Sequence, residues 1–290
     1  MHWFMMVLAV GLAWRLRLAW VPSRENWTKR WHGTLFSFLF PPLLITMTAI
    51  AIVIMGPNGR MIGLKTEALS YCIILAWLSF AIGSGGQLAF QGWQTARKIR
   101  ALPQLASPVA DLYVPTSQPL RLLDIPQLFC ARIGFWQPEF VVSRGLLQAL
   151  SPQHLEAVLA HERAHGCYRD TFWFFWLGWL RRITAWLPHS EALWQELLTL
   201  RELRADRWAS DRVDALLVAE ALLIVVRSAN ELPDPDHFCA AFSRPAPPNR
   251  LQERIDALLE TTEAVPPSPW WAWSWGVLLI LPLLAVPFHH

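Results

Sequence analysis

His161-Glu162-Arg163-Ala164-His165 (HERAH) lies in a stretch whose spacing predicts a helix. On a helix, residues four apart share a face, so both imidazoles point the same way and can bind one cation. Glu162 follows the first histidine, where its carboxylate can hold a water beside that cation and take its proton. With 9 His and 13 Glu in 290 residues, about 0.01 matches to this spacing are expected by chance. The pattern therefore points to one bound zinc ion and to hydrolytic chemistry, and it orders the reading of the rest of the chain.

The remainder is unusually apolar. Hydrophobic residues make up 54% and charged residues 16%, against about 25% charge in an average soluble domain. The 18 tryptophans suit membrane–water interfaces, where indole rings collect. A net charge of +3 with no dense Lys/Arg stripe argues against direct nucleic-acid binding. Cys72, Cys130, Cys167 and Cys239 show no paired spacing and read as reduced thiols facing the cytosol.

Four stretches, 3–20, 35–55, 68–90 and 269–288, carry the apolar length of a bilayer crossing, about 20 residues. The first is not a cleavable signal peptide, because its positive charges (Arg15, Arg17, Arg24, Lys29, Arg30) follow the apolar run instead of preceding it. Positive loops stay in the cytoplasm. The N-terminus is therefore expected outside, the loop 21–34 inside, and the chain returns inside at Arg97, Lys98 and Arg100. Pro41 and Pro42 are expected to kink the second span. Gly83, Gly85 and Gly86 are expected to let the third pack closely against a neighbour.

A fifth apolar stretch, 171–187, holds Arg181 and Arg182 near its middle. Paired arginines are costly at mid-membrane. If Glu202 shares the cation with His161 and His165, only an even number of crossings can intervene. The 36 residues between His165 and Glu202 cannot hold two spans of about 20 residues and a turn. This stretch is expected to lie on the membrane without crossing it. The expected architecture is a mainly α membrane protein with about four transmembrane helices. A three-span region covers 1–92, a cytoplasmic α+β domain with a small sheet covers 93–268, and a last helix covers 269–290.

Within the cytoplasmic part, 112–115, 120–125 and 140–142 read as short strands bounded by Pro, Gly and Ser. Ser151-Pro152 marks a helix start, with Ser as N-cap and Pro at the first helical position. That helix should run to about Tyr168. Another begins near Ser190 and passes Asp206, with further helices at 216–226 and 251–259.

The helical pair offers two metal ligands, and a hydrolytic zinc site needs a third while keeping one position open. Glu202 is the best candidate. Glu202 and Asp206 are four apart, so one carboxylate can bind zinc while the other accepts a hydrogen bond from a ligand histidine. The competing reading is a solvated helix face with Arg201, Arg204 and Arg207 as ion-pair partners. His154 reads as a surface or packing residue, Cys167 as a small buried thiol and His189 as a turn residue. Asp170 is left open between supporting a ligand and capping or ion pairing. His237, Arg250 and Arg254 are candidates for stabilising an oxyanion.

HERAH followed by Glu202-Leu203-Arg204-Ala205-Asp206 resembles the membrane gluzincin metallopeptidases. Gly134-Phe135-Trp136-Gln137-Pro138, Leu150-Ser151-Pro152 and Tyr168-Arg169-Asp170 are similar to the beta-lactam-sensing antirepressor peptidase family. Ala205-Asp206-Arg207-Trp208-Ala209 and Arg254-Ile255 read equally well as the HtpX and CAAX prenyl endopeptidase family. The resemblance implies a zincin-like domain in which Glu162 is the catalytic base and His161, His165 and Glu202 hold the zinc. It also implies a lipid-embedded enzyme acting on protein or peptide substrates, such as a transcriptional repressor, or on membrane proteins in quality control. By analogy with zincins, the edge of the strand at 140–142 would pair with an extended substrate. A non-hydrolytic signalling scaffold is the further alternative. Only His289 and His290 follow Phe288, where the antirepressor family carries an extracellular sensor domain, so sensing through such a domain is not expected.

Overall fold

The computed structural model describes residues 2–22, 27–57, 60–61, 64–65, 68–104, 120–229, 250–260 and 270–288. The chain forms two compact units. One gathers residues 1–87, 179–197 and 264–290, the other residues 88–178 and 198–263.

In the first unit, α1 (His2–Leu18) packs on α2 (Trp27–Met55), and α2 on a C-terminal 3-10 helix (Trp270–Phe288). A two-stranded antiparallel pair, β1 (Arg60–Met61) and β2 (Leu64–Lys65), precedes α3 (Ala68–Arg100). α2 is continuous through Pro41 and Pro42. Its core is apolar, with Ala9, Phe40 and Leu44 in one cluster and Ala49, Ile52 and Ile74 in another. Arg17 is fully buried here. Its guanidinium donates to Ser190 Oγ at 3.2 Å and to the Phe38 carbonyl at 3.2 Å. Of the three glycines expected to admit a neighbour, Gly85 meets one: a Cβ there would fall 3.1 Å from Trp179 Nε1, which itself donates to the Ala81 carbonyl. Gly83 and Gly86 face open space.

Among the described residues two helices, α2 and α3, are long and apolar enough to cross a membrane. Only 22% of the apolar window of α3 is buried, whereas the core helix of a water-soluble protein hides such a face. α1 has 17 residues, and the C-terminal segment is a tighter 3-10 helix containing Pro282 and Pro287.

The second unit carries a three-stranded sheet and the helices that meet it. β3 (Leu120–Leu123), β4 (Cys130–Ile133) and β5 (Glu139–Ser143) are followed by α4 (Arg144–Ala149), α5 (Pro152–Cys167), α6 (Asp170–Ile183), α7 (Ser190–Ser210), α8 (Ala215–Ala229) and α9 (Leu251–Leu259). α6 and α7 each supply residues to both units. The sheet order is β3-β5-β4. β5 runs parallel to β3, with Leu120 opposite Phe140, and antiparallel to β4, with Cys130 opposite Val142.

β5 is thus the central strand, which corrects the expectation that 140–142 offers a free edge. The reason is visible in the residues. Phe140, Val141 and Val142 are all buried, and an uninterrupted apolar run marks a strand covered on both faces. The outer strand beside α5 is β4, which sequence periodicity did not reveal. The expected strand at 112–115 lies outside the described residues. Ser143 ends β5 and caps α4. Its hydroxyl accepts from Leu146 N at 3.1 Å and Phe129 N at 2.9 Å, and donates to the Gln127 carbonyl.

α5 starts as expected, with the Ser151 side chain accepting from His154 N and Pro152 in the first turn. One face meets the sheet through Leu155 and Leu159. Ala157 and Ala160, small residues on another face, pack with Ala209, Val218, Ala219 and Leu258. The first half of α5, the last turn of α7, the start of α8 and the end of α9 are in this way held in one core.

Candidate metal centre

His161 and His165 share a face of α5, with ring centroids 4.9 Å apart and Nε2 atoms 3.2 Å apart. Glu202, on α7, completes the cluster. Its Oε2 lies 3.4 Å from His161 Nε2 and its Oε1 3.7 Å from His165 Nε2. Three donors bound tetrahedrally at about 2.1 Å from one zinc would sit about 3.4 Å from one another. The two separations from His161 Nε2 fit that arrangement, one ligand atom from each of the three residues lies within 4.8 Å of the others, and two imidazoles with a carboxylate suit zinc chemically. Glu202 is 5% exposed, so it does not lie on a solvated helix face.

The Nδ1 atoms explain why both Nε2 atoms face inwards. His161 Nδ1 is 2.8 Å from Asp206 Oδ1, and His165 Nδ1 is 2.7 Å from Asp170 Oδ2. A carboxylate at Nδ1 fixes the tautomer that leaves the Nε2 lone pair for a metal. Asp206 lies at Nδ1 of His161. Asp170 takes the equivalent place for the second histidine, from the first turn of α6.

Three arginines hold these carboxylates. Arg254 grips Asp206 with two bonds, at 2.7 and 2.8 Å, and lies 3.4 Å from Glu202 Oε2. Arg201 donates to Glu202 Oε1 from Nε at 3.0 Å and Nη2 at 2.9 Å. Arg204 pairs with Asp170 and lies over the Tyr168 ring. Three buried carboxylates thus face three guanidinium groups, so the site is near charge balance before any cation enters. Burial raises the Glu202 carboxyl, but Arg201, the hydrogen bond with His161 and the charges of His165 and Arg254 hold it well below the usual carboxylate range. Burial lowers His161, while Asp206 and Glu202 together push it up to about 10.

Glu162 is half-buried on α5, next to His161 and within the field of Arg132 and Arg254. Of the three oxyanion candidates, Arg254 is committed to Asp206 and Glu202, Arg250 pairs with Glu253 at 2.8 Å, and His237 lies outside the described residues. Cys167 is exposed, contrary to the expectation of a buried thiol, because it closes α5 where that helix leaves the core. His154 bridges Ser151 and Glu220 near the surface, and His189 occupies a turn with φ of 55°.

Residues 129–189 match the model of Peptidase family M48. The match begins at β4, takes in the whole of α5 and α6, and supports a metallopeptidase of that family. Glu202 and Asp206 lie beyond the M48-like segment, so their place at the site rests on the distances above.

Proposed function

We propose that this chain is a membrane-embedded, zinc-dependent endopeptidase with one zinc ion held by His161, His165 and Glu202. The observation that carries this reading is the convergence of those three donors from two helices, with a separate carboxylate behind each histidine. A zinc ion there supplies a Lewis acid and a water acidic enough to react near neutral pH. Glu162 takes the proton of the attacking water and delivers it to the leaving amine. Asp170 and Asp206 orient the two imidazoles, and Arg254 and Arg201 hold Asp206 and Glu202 in place.

An extended peptide would lie along the outer edge of β4, adding a strand to the sheet. Spans within 1–92 and 269–290 would anchor the enzyme in a bacterial inner membrane, with the domain at 93–268 in the cytoplasm. Cytosolic or membrane-proximal proteins are the substrates, with cleavage of a transcriptional repressor the signalling version of this role and membrane-protein quality control its alternative.

The test is the full chain in detergent. The wild-type protein should carry one zinc and cleave unfolded protein substrates. Glu162→Gln should keep the zinc and lose cleavage by about 10²–10⁴-fold. A Glu162→Gln protein that cleaves as well as wild type removes the reading.

A further inference from the structure

β4 presents two faces. Ala131 and Ile133 pack with Ile99, Leu123 and Val141. Cys130 faces the other way, against Leu120, Phe140 and Val142, and Arg132 shares that side by the alternation of a strand. Its guanidinium sits 5.3 Å from the centre of the Phe140 ring. It also fills the notch that Gly166 leaves in α5: a Cβ built on Gly166 would lie 2.4 Å from Arg132 Nη1 and 2.5 Å from Cζ. Gly166 is four residues beyond Glu162, on the same helix face. The cation therefore stands beside the carboxylate proposed as the base.

Arg132 differs from the three arginines that surround the metal ligands. Arg201, Arg204 and Arg254 are each matched to a carboxylate. Among the described residues Arg132 has no ion-pair partner; its Nε, like that of Arg204, is buried without a hydrogen bond. Burial lowers its pKa, and Glu162 is the strongest of the charges acting against that. Leaving a guanidinium N–H withdrawn from water without a partner is costly, while the side chain as a whole is only half-buried. Among the described residues β4 is moreover the outer strand, with β5 on one side only. A peptide added along the other side places its same-face side chain about 5 Å from that of Arg132, the separation at which opposite charges on paired strands attract.

We propose that Arg132 is a substrate-binding residue that selects a carboxylate on the peptide being cleaved. This rests on the endopeptidase reading and names its substrate class: peptides with an acidic group close to the scissile bond. That group is either an Asp or Glu side chain or the peptide's own C-terminal carboxylate. Both accept the two parallel hydrogen bonds that a guanidinium fork offers.

The test uses the zinc-loaded full chain in detergent and a set of peptides of one parent sequence. Gln is replaced by Glu at each position in turn, and each peptide is made with a free and an amidated C-terminus. Wild-type kcat/KM should rise tenfold or more for Glu at one position, or for the free terminus, which tells the two sources apart. That ratio should fall to within twofold in Arg132→Gln, survive in part in Arg132→Lys, and invert in Arg132→Glu. Binding of the same peptides to Glu162→Gln, followed by fluorescence anisotropy, should show the same ranking and lose it when Arg132→Gln is added. A flat ranking in the wild type, or one that Arg132→Gln leaves unchanged, overturns the proposal while cleavage itself stands. If the binding ranking appears but no peptide is cleaved by the wild type, the carboxylate site stands and the endopeptidase reading falls.

Discussion

Asp170 Oδ2 lies 2.7 Å from Nδ1 of His165, although the two residues belong to different helices. The chain turns at Tyr168 and Arg169, the latter with φ of 54°, and this turn brings the first residue of α6 back under His165. Together with Asp206 behind His161, it gives each imidazole its own orienting carboxylate. Removing either carboxylate should therefore loosen the metal without abolishing it. Asp170→Asn and Asp206→Asn are each expected to weaken zinc binding by about 10–100-fold, measured by competition with a chelator of known affinity. An Asp170→Asn protein with unchanged affinity would show that the contact only caps α6.

The proton on His161 gives the metal site a pH dependence. Its folded pKa, about 10, lies above the ordinary 6.5. The stabilisation of the metal-free fold by this proton is complete below about pH 6.5 and is lost as the pH rises through about 10. Zinc needs the imidazole neutral, so binding expels the proton. Apparent zinc affinity should climb by about tenfold per pH unit between pH 6.5 and 9. Zinc titrations corrected for the chelator's own protonation will read that slope. A slope near zero would mean that His161 is neutral in the metal-free protein.

Arg254 should matter as much to the fold as to the metal. It reaches Asp206 from α9, 48 residues away in sequence, and both side chains are buried. Taking away one partner of a buried ion pair costs about 3–5 kcal/mol, because the other charge is left stranded. Arg254→Ala should lower the unfolding midpoint of the metal-free protein accordingly, with Arg254→Lys in between and the double change Arg254→Met with Asp206→Leu milder than Arg254→Ala alone. Thermal unfolding followed by tryptophan fluorescence will rank the variants.

Helical features of the site were legible because helix periodicity is local. The facing pair in HERAH, the Ser151-Pro152 start and the shared face of Glu202 and Asp206 all follow from spacing alone. The strands were less so. β4 has four residues with one arginine among them, too short a run for alternation to be read. Whether Phe140, Val141 and Val142 lie at an edge or in the middle depends on pairing with residues far along the chain. Asp170 was ambiguous because the backbone turn that aims it is not encoded in the helix period. Arg254 stands in the sequence as only one of three oxyanion candidates, because nothing in a single sequence shows that α9 meets α7. Arg132 had no signal except Gly166, a small residue in the last turn of the helix that carries HERAH.

Gly145 offers a last check on how the sheet is tied to the helices. Its amide donates to the Ile125 carbonyl at 3.0 Å, and a Cβ there would lie 1.8 Å from the Pro126 carbonyl oxygen and 2.3 Å from its carbon. These are backbone atoms, so no side-chain rotation relieves the clash, and the turn between β3 and β4 must move. Gly145→Ala should cost about 3 kcal/mol, the upper range of overpacking. Gly92→Ala, in α3 with open space around it, is the control. It should stabilise by about 0.5–1 kcal/mol through helix propensity. Because the strand that carries Arg132 follows the displaced turn, Gly145→Ala should also cut peptide cleavage while Gly92→Ala does not. Denaturant unfolding and peptide cleavage measured on both variants decide it: equal stability of the two would mean that the turn at Pro126 yields freely and does not fix β4.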